Sequence, residues 1–426
     1  MGSARWGHSL SKAADVAHEF KDRWIRKGTL ASDAFRVISE ATLQPCAAAV
    51  SRDDACKLIC SYNWQDSKES RKKYVRTKNP LIRVPGFAPI WRPVSRPLKL
   101  PPDKGVYFRD QNAAQMPKSP FGPVFRAAEA MNPTINFADV DIVINRNSLT
   151  KFHSFCAGNV KDSFRVELSM INNTLFIERR EQNAQAYYKG EQADGWGHNF
   201  AKAITQPLNG LSRSPQHYRV LGYPLGGLNC VVRSEVDACY EEGSQGQQQN
   251  AGDDTREDAI VHLDKPYIGP GSKKKSIVSG TESPVAKRDE PMLQSTAAEI
   301  KTGKRGRPIR GLLPQLWFGR IPWFIMGYHA QGTFDEIEIV NTEAELIAWE
   351  SEHQAELRKL VTLLSELRET AKKSGFQRCI ATCEKRTRPL ELKIFGSASN
   401  RRPLTGDFID KFWRDKSDEA AVKGTK

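Results

Sequence analysis

The sequence predicts an α+β fold, with mixed twisted β-sheets and surrounding helices. Three observations carry that prediction. Residues 163–170 and 174–180 alternate in polarity about Asn172-Asn173. This is a β-hairpin pattern, because asparagine tolerates the positive φ of a tight turn. Further alternating runs recur at 228–238, 296–302 and 333–340. Finally, Leu346, Trp349, His353, Leu357, Leu360, Leu364 and Leu367 fall on one stripe of a long helix over 343–373.

Taken in order, residues 1–60 read as a helical extension at the edge of the fold, in which Trp6, Phe20 and Trp24 mark a short amphipathic helix. Residues 61–400 read as a single domain. Within it, Pro80, Pro85, Pro89, Pro93, Pro97, Pro101 and Pro102 impose extended coil, since each fixes φ and removes a donor. A helix is expected over 121–131, a strand over 139–144 and a helix start over 196–204. Strands at 218–223 and 228–238 flank the turn Pro224-Leu225-Gly226-Gly227. Residues 241–294, dominated by Gln, Gly, Ser, Asp and Lys, read as a disordered insertion that cannot bury enough apolar surface to offset chain entropy. An apolar aromatic run follows Pro314, a closing strand is expected at 390–395, and residues 401–426 read as a loose charged tail.

Composition narrows the partners. The 426 residues carry 64 Lys+Arg against 50 Asp+Glu, a net charge of +14. Such a surface suits a polyanion such as nucleic acid, or a membrane surface; solubility alone is the alternative. No run approaches 18 apolar residues, so no membrane span is expected. The cysteine pairs Cys56/Cys60 and Cys379/Cys383 lack partners at zinc-finger spacing, and the scatter of eight cysteines suits a reducing compartment.

The chemistry concentrates on two strands. If 228–238 is one strand, Glu235 and Asp237 project from the same polar face. In 296–302, Glu299 and Lys301 share the other polar face. Close carboxylates repel unless a hard cation lies among them, and oxygen ligands suit Mg2+ or Mn2+. A neighbouring lysine can orient water or offset transition-state charge. Glu-x-Asp … Glu-x-Lys is the pattern of the PD-(D/E)xK nuclease core. Glu391-Leu392-Lys393 shows how readily half of it arises by chance.

Order adds weight. Asn145-Arg146-Asn147-Ser148-Leu149-Thr150-Lys151, Gly197-His198-Asn199-Phe200, Glu235-Val236-Asp237, Glu299-Ile300-Lys301-Thr302 and Pro314-Gln315-Leu316-Trp317 occur in sequence. In that order they resemble the DXO-like decapping exoribonucleases, and the chain resembles a divergent fungal branch of them over roughly 100–395. A prenyl-diphosphate synthase, the label some similar fungal proteins carry, is not supported, because the Asp-Asp-x-x-Asp boxes are missing. The resemblance implies a divalent-metal-dependent hydrolase of RNA 5′ ends, acting by decapping, deNADding or 5′-to-3′ digestion. It implies Glu235, Asp237, Glu299 and the Ile300 carbonyl as metal ligands. Lys301 and Gln315 would position water and substrate, and Arg146 and Lys151 would bind substrate. It further implies a nuclear or cytoplasmic location and a 5′-to-3′ exoribonuclease as partner.

One position departs from the family pattern. Where the family has a carboxylate after Gly-x-x-Phe, this chain has Ala201, followed by Lys202. Glu191 or Asp194 would be the substitutes. The departure keeps a second expectation open, a catalytically degenerate relative that binds RNA or a nuclease. A third is a DNA-associated protein, since Arg305-Gly306-Arg307-Pro308 contains the core of an AT-hook.

Overall fold

The computed structural model describes residues 23–413, apart from 54, 66–80, 184–186, 191–194, 213, 215, 243–258, 263–290, 307 and 308. In chain order the strands are β1 (Arg36–Ser39), β2 (Lys57–Gln65), β3 (Leu81–Val84), β4 (Ile90–Trp91), β5 (Leu98–Lys99), β6 (Val106–Phe108), β7 (Ile142–Asn145), β8 (Phe164–Ile171), β9 (Thr174–Arg180), β10 (Tyr187–Lys189), β11 (Thr205–Gln206), β12 (His217–Leu225), β13 (Leu228–Glu235), β14 (Ala238–Cys239), β15 (Ala259–His262), β16 (Ala297–Gly303), β17 (Trp323–Ala330), β18 (Thr333–Asn341), β19 (Cys379–Cys383) and β20 (Glu391–Gly396). The helices are α1 (Gln111–Gln115), α2 (Gly122–Met131), α3 (Arg146–Cys156), α4 (Gly197–Ile204), α5 (Leu313–Gly319), α6 (Glu343–Glu352), α7 (Gln354–Lys373) and α8 (Gly406–Phe412).

Among the described residues, eleven strands form a large sheet in the order β1-β20-β19-β8-β9-β7-β13-β12-β2-β3-β15. Seven form a second sheet, β11-β4-β14-β16-β17-β18-β5, and β10 pairs with β6. The α+β expectation, with mixed twisted sheets and helices outside, therefore holds. The β8–β9 hairpin forms as the sequence requires, with Asn172 at φ 48° in the turn.

Both faces of the large sheet are covered, which explains why its central strands are apolar on alternating and non-alternating positions alike. Cys230 and Val232 of β13 face a core with Leu357, Leu360 and Leu364 of α7. Val231, between them, faces a second core with Phe125 of α2 and Phe412 of α8. A third core packs Phe200 and Ile204 of α4 on Ile300 and Ile325 of the small sheet. Gly327 in β17 lets the Phe200 ring lie against the backbone, a place a Cβ would occupy.

Several elements differ from the sequence reading. Within residues 1–60, the first 22 lie outside the described residues; the rest carry a 3-10 turn at Arg23–Arg26 and the strands β1 and β2. β1 pairs with β20 and β2 lies between β12 and β3, so the described part of this segment is built into the sheet, while Trp6 and Phe20 of the expected helix lie outside the described residues. Four residues of the expected insertion form β15, antiparallel to β3. The long helix is two, broken at His353. The tail is ordered through Trp413, because Phe408, Phe412 and Trp413 bury against α2.

Candidate functional site

The decisive local feature is the end of β13. The expected single strand over 228–238 stops at Glu235; after Val236 and Asp237 the chain joins the other sheet as β14. Backbone bonds fix both sides of this crossing. Val236 N–H donates to the His217 carbonyl at 3.1 Å in the large sheet, and Asp237 N–H donates to the Ala298 carbonyl at 3.2 Å in the small one. Glu235 and Asp237 thus stand at the seam between sheets, not side by side on one strand face. The Asp237 carboxylate also accepts the Ile300 N–H at 2.9 Å.

Glu299, two residues into β16, is 2% exposed and is the hub of the site. Arg146, at the first turn of α3, donates to its Oε2 at 3.1 Å. The Lys301 ammonium and the Gln315 amide on α5 both contact its Oε1. Lys301 Nζ in turn lies 3.6 Å from Asp237 Oδ2 and 3.0 Å from the Ile300 carbonyl oxygen. One ammonium nitrogen therefore touches three of the four oxygen-bearing groups expected to bind metal, and Glu299 and Asp237 share it.

The charges do not balance. Three carboxylates face two cations, Lys301 and Arg146. Burial, then the charges of Asp237 and Glu299, push the Glu235 carboxyl up to about 8. Burial and Glu299 likewise raise Asp237. Glu299 goes the other way: burial opposes its charge, but Lys301 and Arg146 outweigh it and hold the carboxyl low. Burial would lower Lys301, yet Glu299 and Asp237 raise it, so it stays an ammonium.

Does this donor set fit a divalent ion? Among the described residues, no group of three His, Cys, Asp or Glu side chains stands arranged as a ready metal site. The Lys301 cation instead occupies the middle of the oxygens. The donor chemistry fits a hard ion nonetheless: carboxylate and carbonyl oxygens, with three carboxyl groups to two local cations, so that a bound ion would favour ionisation of Glu235.

The other expected residues divide. Lys151 lies away from Glu299. Its charged neighbours are Arg179, Glu181, Asp162 and Asp110, its ammonium is 5.9 Å from the centre of the Phe164 ring, and burial with Arg179 lowers it to about 8. Ala201 packs on the third core and Lys202 is exposed, so the lysine is not turned into the acidic group. Glu191 and Asp194 lie outside the described residues, as do Arg307 and Pro308 of the hook motif; Arg305 pairs with Glu336 at 2.7 Å.

Sequence reasoning missed two wall residues. Tyr218 sits directly across from Glu235 in the β12–β13 ladder. Asp103 accepts the His198 and Asn199 N–H groups at 3.0 and 2.8 Å and so anchors α4. Arg179, which stands beside Lys151, was visible in the sequence as part of the charged end of β9.

This arrangement, two sheets with an acidic seam, defines a DXO-like fold. Solved structures with that fold include Rai1 from Scheffersomyces stipitis in complex with (3'-NADP)+ and calcium ion, 13% identical with a TM-score of 0.55, covering 88% of this chain and 99% of that chain. They also include Candida albicans Rai1 in complex with pU5-Mn2+, 13% identical with a TM-score of 0.54, covering 88% of this chain and 98% of that chain. No curated protein sequence matches. Residues 32–413 match the family described as a domain of unknown function, DUF8563, and the chain belongs to that family.

Proposed function

We propose that this protein is a divalent-metal-dependent hydrolase acting on RNA 5′ ends. The observation that carries the reading is the shared ammonium: Lys301 joins Glu299, Asp237 and the Ile300 carbonyl at one point, beside Glu235. Glu235, Asp237, Glu299 and the Ile300 carbonyl are the groups that would hold the ion. Holding a divalent ion, these groups would supply charge neutralisation for a phosphodiester and a more acidic water. The relatives described with Mn2+, with calcium and with nucleotide ligands support the same class of site.

The chain's own residues supply the rest. Glu299 is buried and fixed by three donors, so its orientation is set before substrate arrives. Gln315 and Lys301, held by that carboxylate, present donors at the seam for a water or a phosphate oxygen. Arg146 would exchange its Glu299 partner for substrate phosphate, a contact guanidinium groups make well. Nuclear location and an exoribonuclease partner belong to the same proposal, as does Mg2+ or Mn2+ as the ion.

The test is incubation of the full chain with 5′-triphosphate, NAD-capped and 5′-monophosphate RNA, with Mg2+ or Mn2+. Turnover of at least one that Asp237→Ala abolishes is expected; a folded protein inert on all three rejects the reading. Ala201 favours a second reading, a binding protein without chemistry, because α4 then brings no carboxylate to the seam. Metal binding without turnover would select it.

A further inference from the structure

A second cluster of charge lies away from the seam, on the face of the large sheet that packs α2 and α8. One carboxylate, Glu167 of β8, is shared by four guanidinium groups: Arg165 at 2.9 Å, Arg180 at 2.7 Å, Arg378, and Arg401 at 3.7 Å. Glu178 of β9 adds one more carboxylate, in contact with Arg378 and Arg401. Four cations face two anions, leaving a surplus of two positive charges. Arg165 is 8% exposed and its Nε has no hydrogen-bond partner. Buried cations in excess of their counter-ions are costly unless an anion joins them.

The surplus borders a cavity of about 440 Å3. That size lies within the roughly 300–1,000 Å3 of small-molecule sites. The 3-10 turn at Arg23–Arg26 closes one side and puts Trp24 and Lys27 on the wall; Arg165 holds this turn through the Ile25 and Lys27 carbonyls. Arg180, Arg401 and Ser399 line the other side, together with Glu181, whose carboxylate is neutralised by Arg179 at 2.7 Å. The Arg180 and Arg401 side chains keep 30% and 22% of their surface open, whereas Arg378 and Glu178 are fully enclosed and serve as the frame.

We propose that this cavity binds a nucleotide through its phosphate, with Arg180, Arg401 and Ser399 facing the oxyanion and the Trp24 indole facing the base. A phosphate monoester carries close to two negative charges at neutral pH, matching the surplus. Guanidinium groups suit its oxygens, and an indole face suits a base. The ligand is either a free mononucleotide or one nucleotide of an RNA strand. The proposal does not depend on the metal site.

The experiment titrates the full chain by calorimetry in excess EDTA, with AMP, inorganic phosphate and a 5′-phosphorylated oligouridylate. AMP binds one site. Arg180→Gln and the exposed Ser399→Glu each weaken it by about tenfold or more, the latter guarding against a misfolded first variant, with folding checked by circular dichroism. Trp24→Ala weakens AMP but changes inorganic phosphate less than about twofold. Asp237→Ala leaves AMP and inorganic phosphate binding unchanged. Oligouridylate tighter than AMP assigns the site to a strand, and equal affinity assigns it to free nucleotide. Absence of binding by all three probes, affinity unchanged in both Arg180→Gln and Ser399→Glu, or loss of AMP binding in Asp237→Ala overturns it.

Discussion

The Asp237 carboxylate accepts the backbone N–H of Ile300 at 2.9 Å, tying the end of one sheet to a strand of the other. The same residue is thus a candidate ligand and a structural tie, and the two roles separate by substitution. Asp237→Asn keeps an oxygen acceptor; Asp237→Ala does not. Asp237→Ala is expected to cost about 1 kcal/mol more than Asp237→Asn in urea unfolding, while both lose metal-dependent turnover. Equal stability of the two would remove the tie.

Lys301 is the internal counter-ion of the acidic seam. Lys301→Met leaves the carboxylates with Arg146 alone. Two results are expected: turnover falls by roughly 10²–10³-fold, and Mn2+ raises the melting temperature more in the variant than in the parent. A smaller metal-induced rise in Lys301→Met would show that the ammonium does not stand where cations gather.

Glu167 gives the pH dependence of stability. Burial would raise its pKa, but Arg378, Arg180 and Arg165 outweigh burial and hold it at about 2, below the ordinary 4.5. A depressed carboxylate stabilises the fold above its unfolded pKa, and the contribution fades as pH falls from 4.5 toward 2. The shift corresponds to about 3 kcal/mol. Glu167→Gln should therefore cost about that much at pH 7, with a difference that narrows below about pH 4.5 in unfolding titrations. A difference independent of pH would contradict the assignment.

Gly327 has no room for a side chain under Phe200. Gly327→Ala is expected to destabilise by about 1–3 kcal/mol, and Phe200→Leu in the same chain should recover part of it. Thermal unfolding of the single and double variants measures the coupling.

Much of this was legible in residue order. The hairpin around Asn172, the strand carrying Glu299 and Lys301, and the α6–α7 stripe follow from local periodicity and turn chemistry. The crossing at Val236-Asp237 was not, because alternation continues through it while the backbone changes sheets. Nor was the burial of α8: Phe408 and Phe412 are one turn apart, but charged neighbours mask the stripe. Long-range partners set the rest. β1 and β2 are held as strands by β20 and β12, which neighbour them in the sheet but lie far away in the chain.

Under the proposed function, Glu235, Asp237 and Glu299 together hold one kind of ion. Titration of the full chain with Mn2+, followed by the loss of the free-ion electron paramagnetic resonance signal, tests it most directly. Saturable binding is expected in the parent chain, weakened by at least about tenfold in each of Glu299→Gln and Asp237→Ala. Binding of equal strength in all three proteins would contradict it.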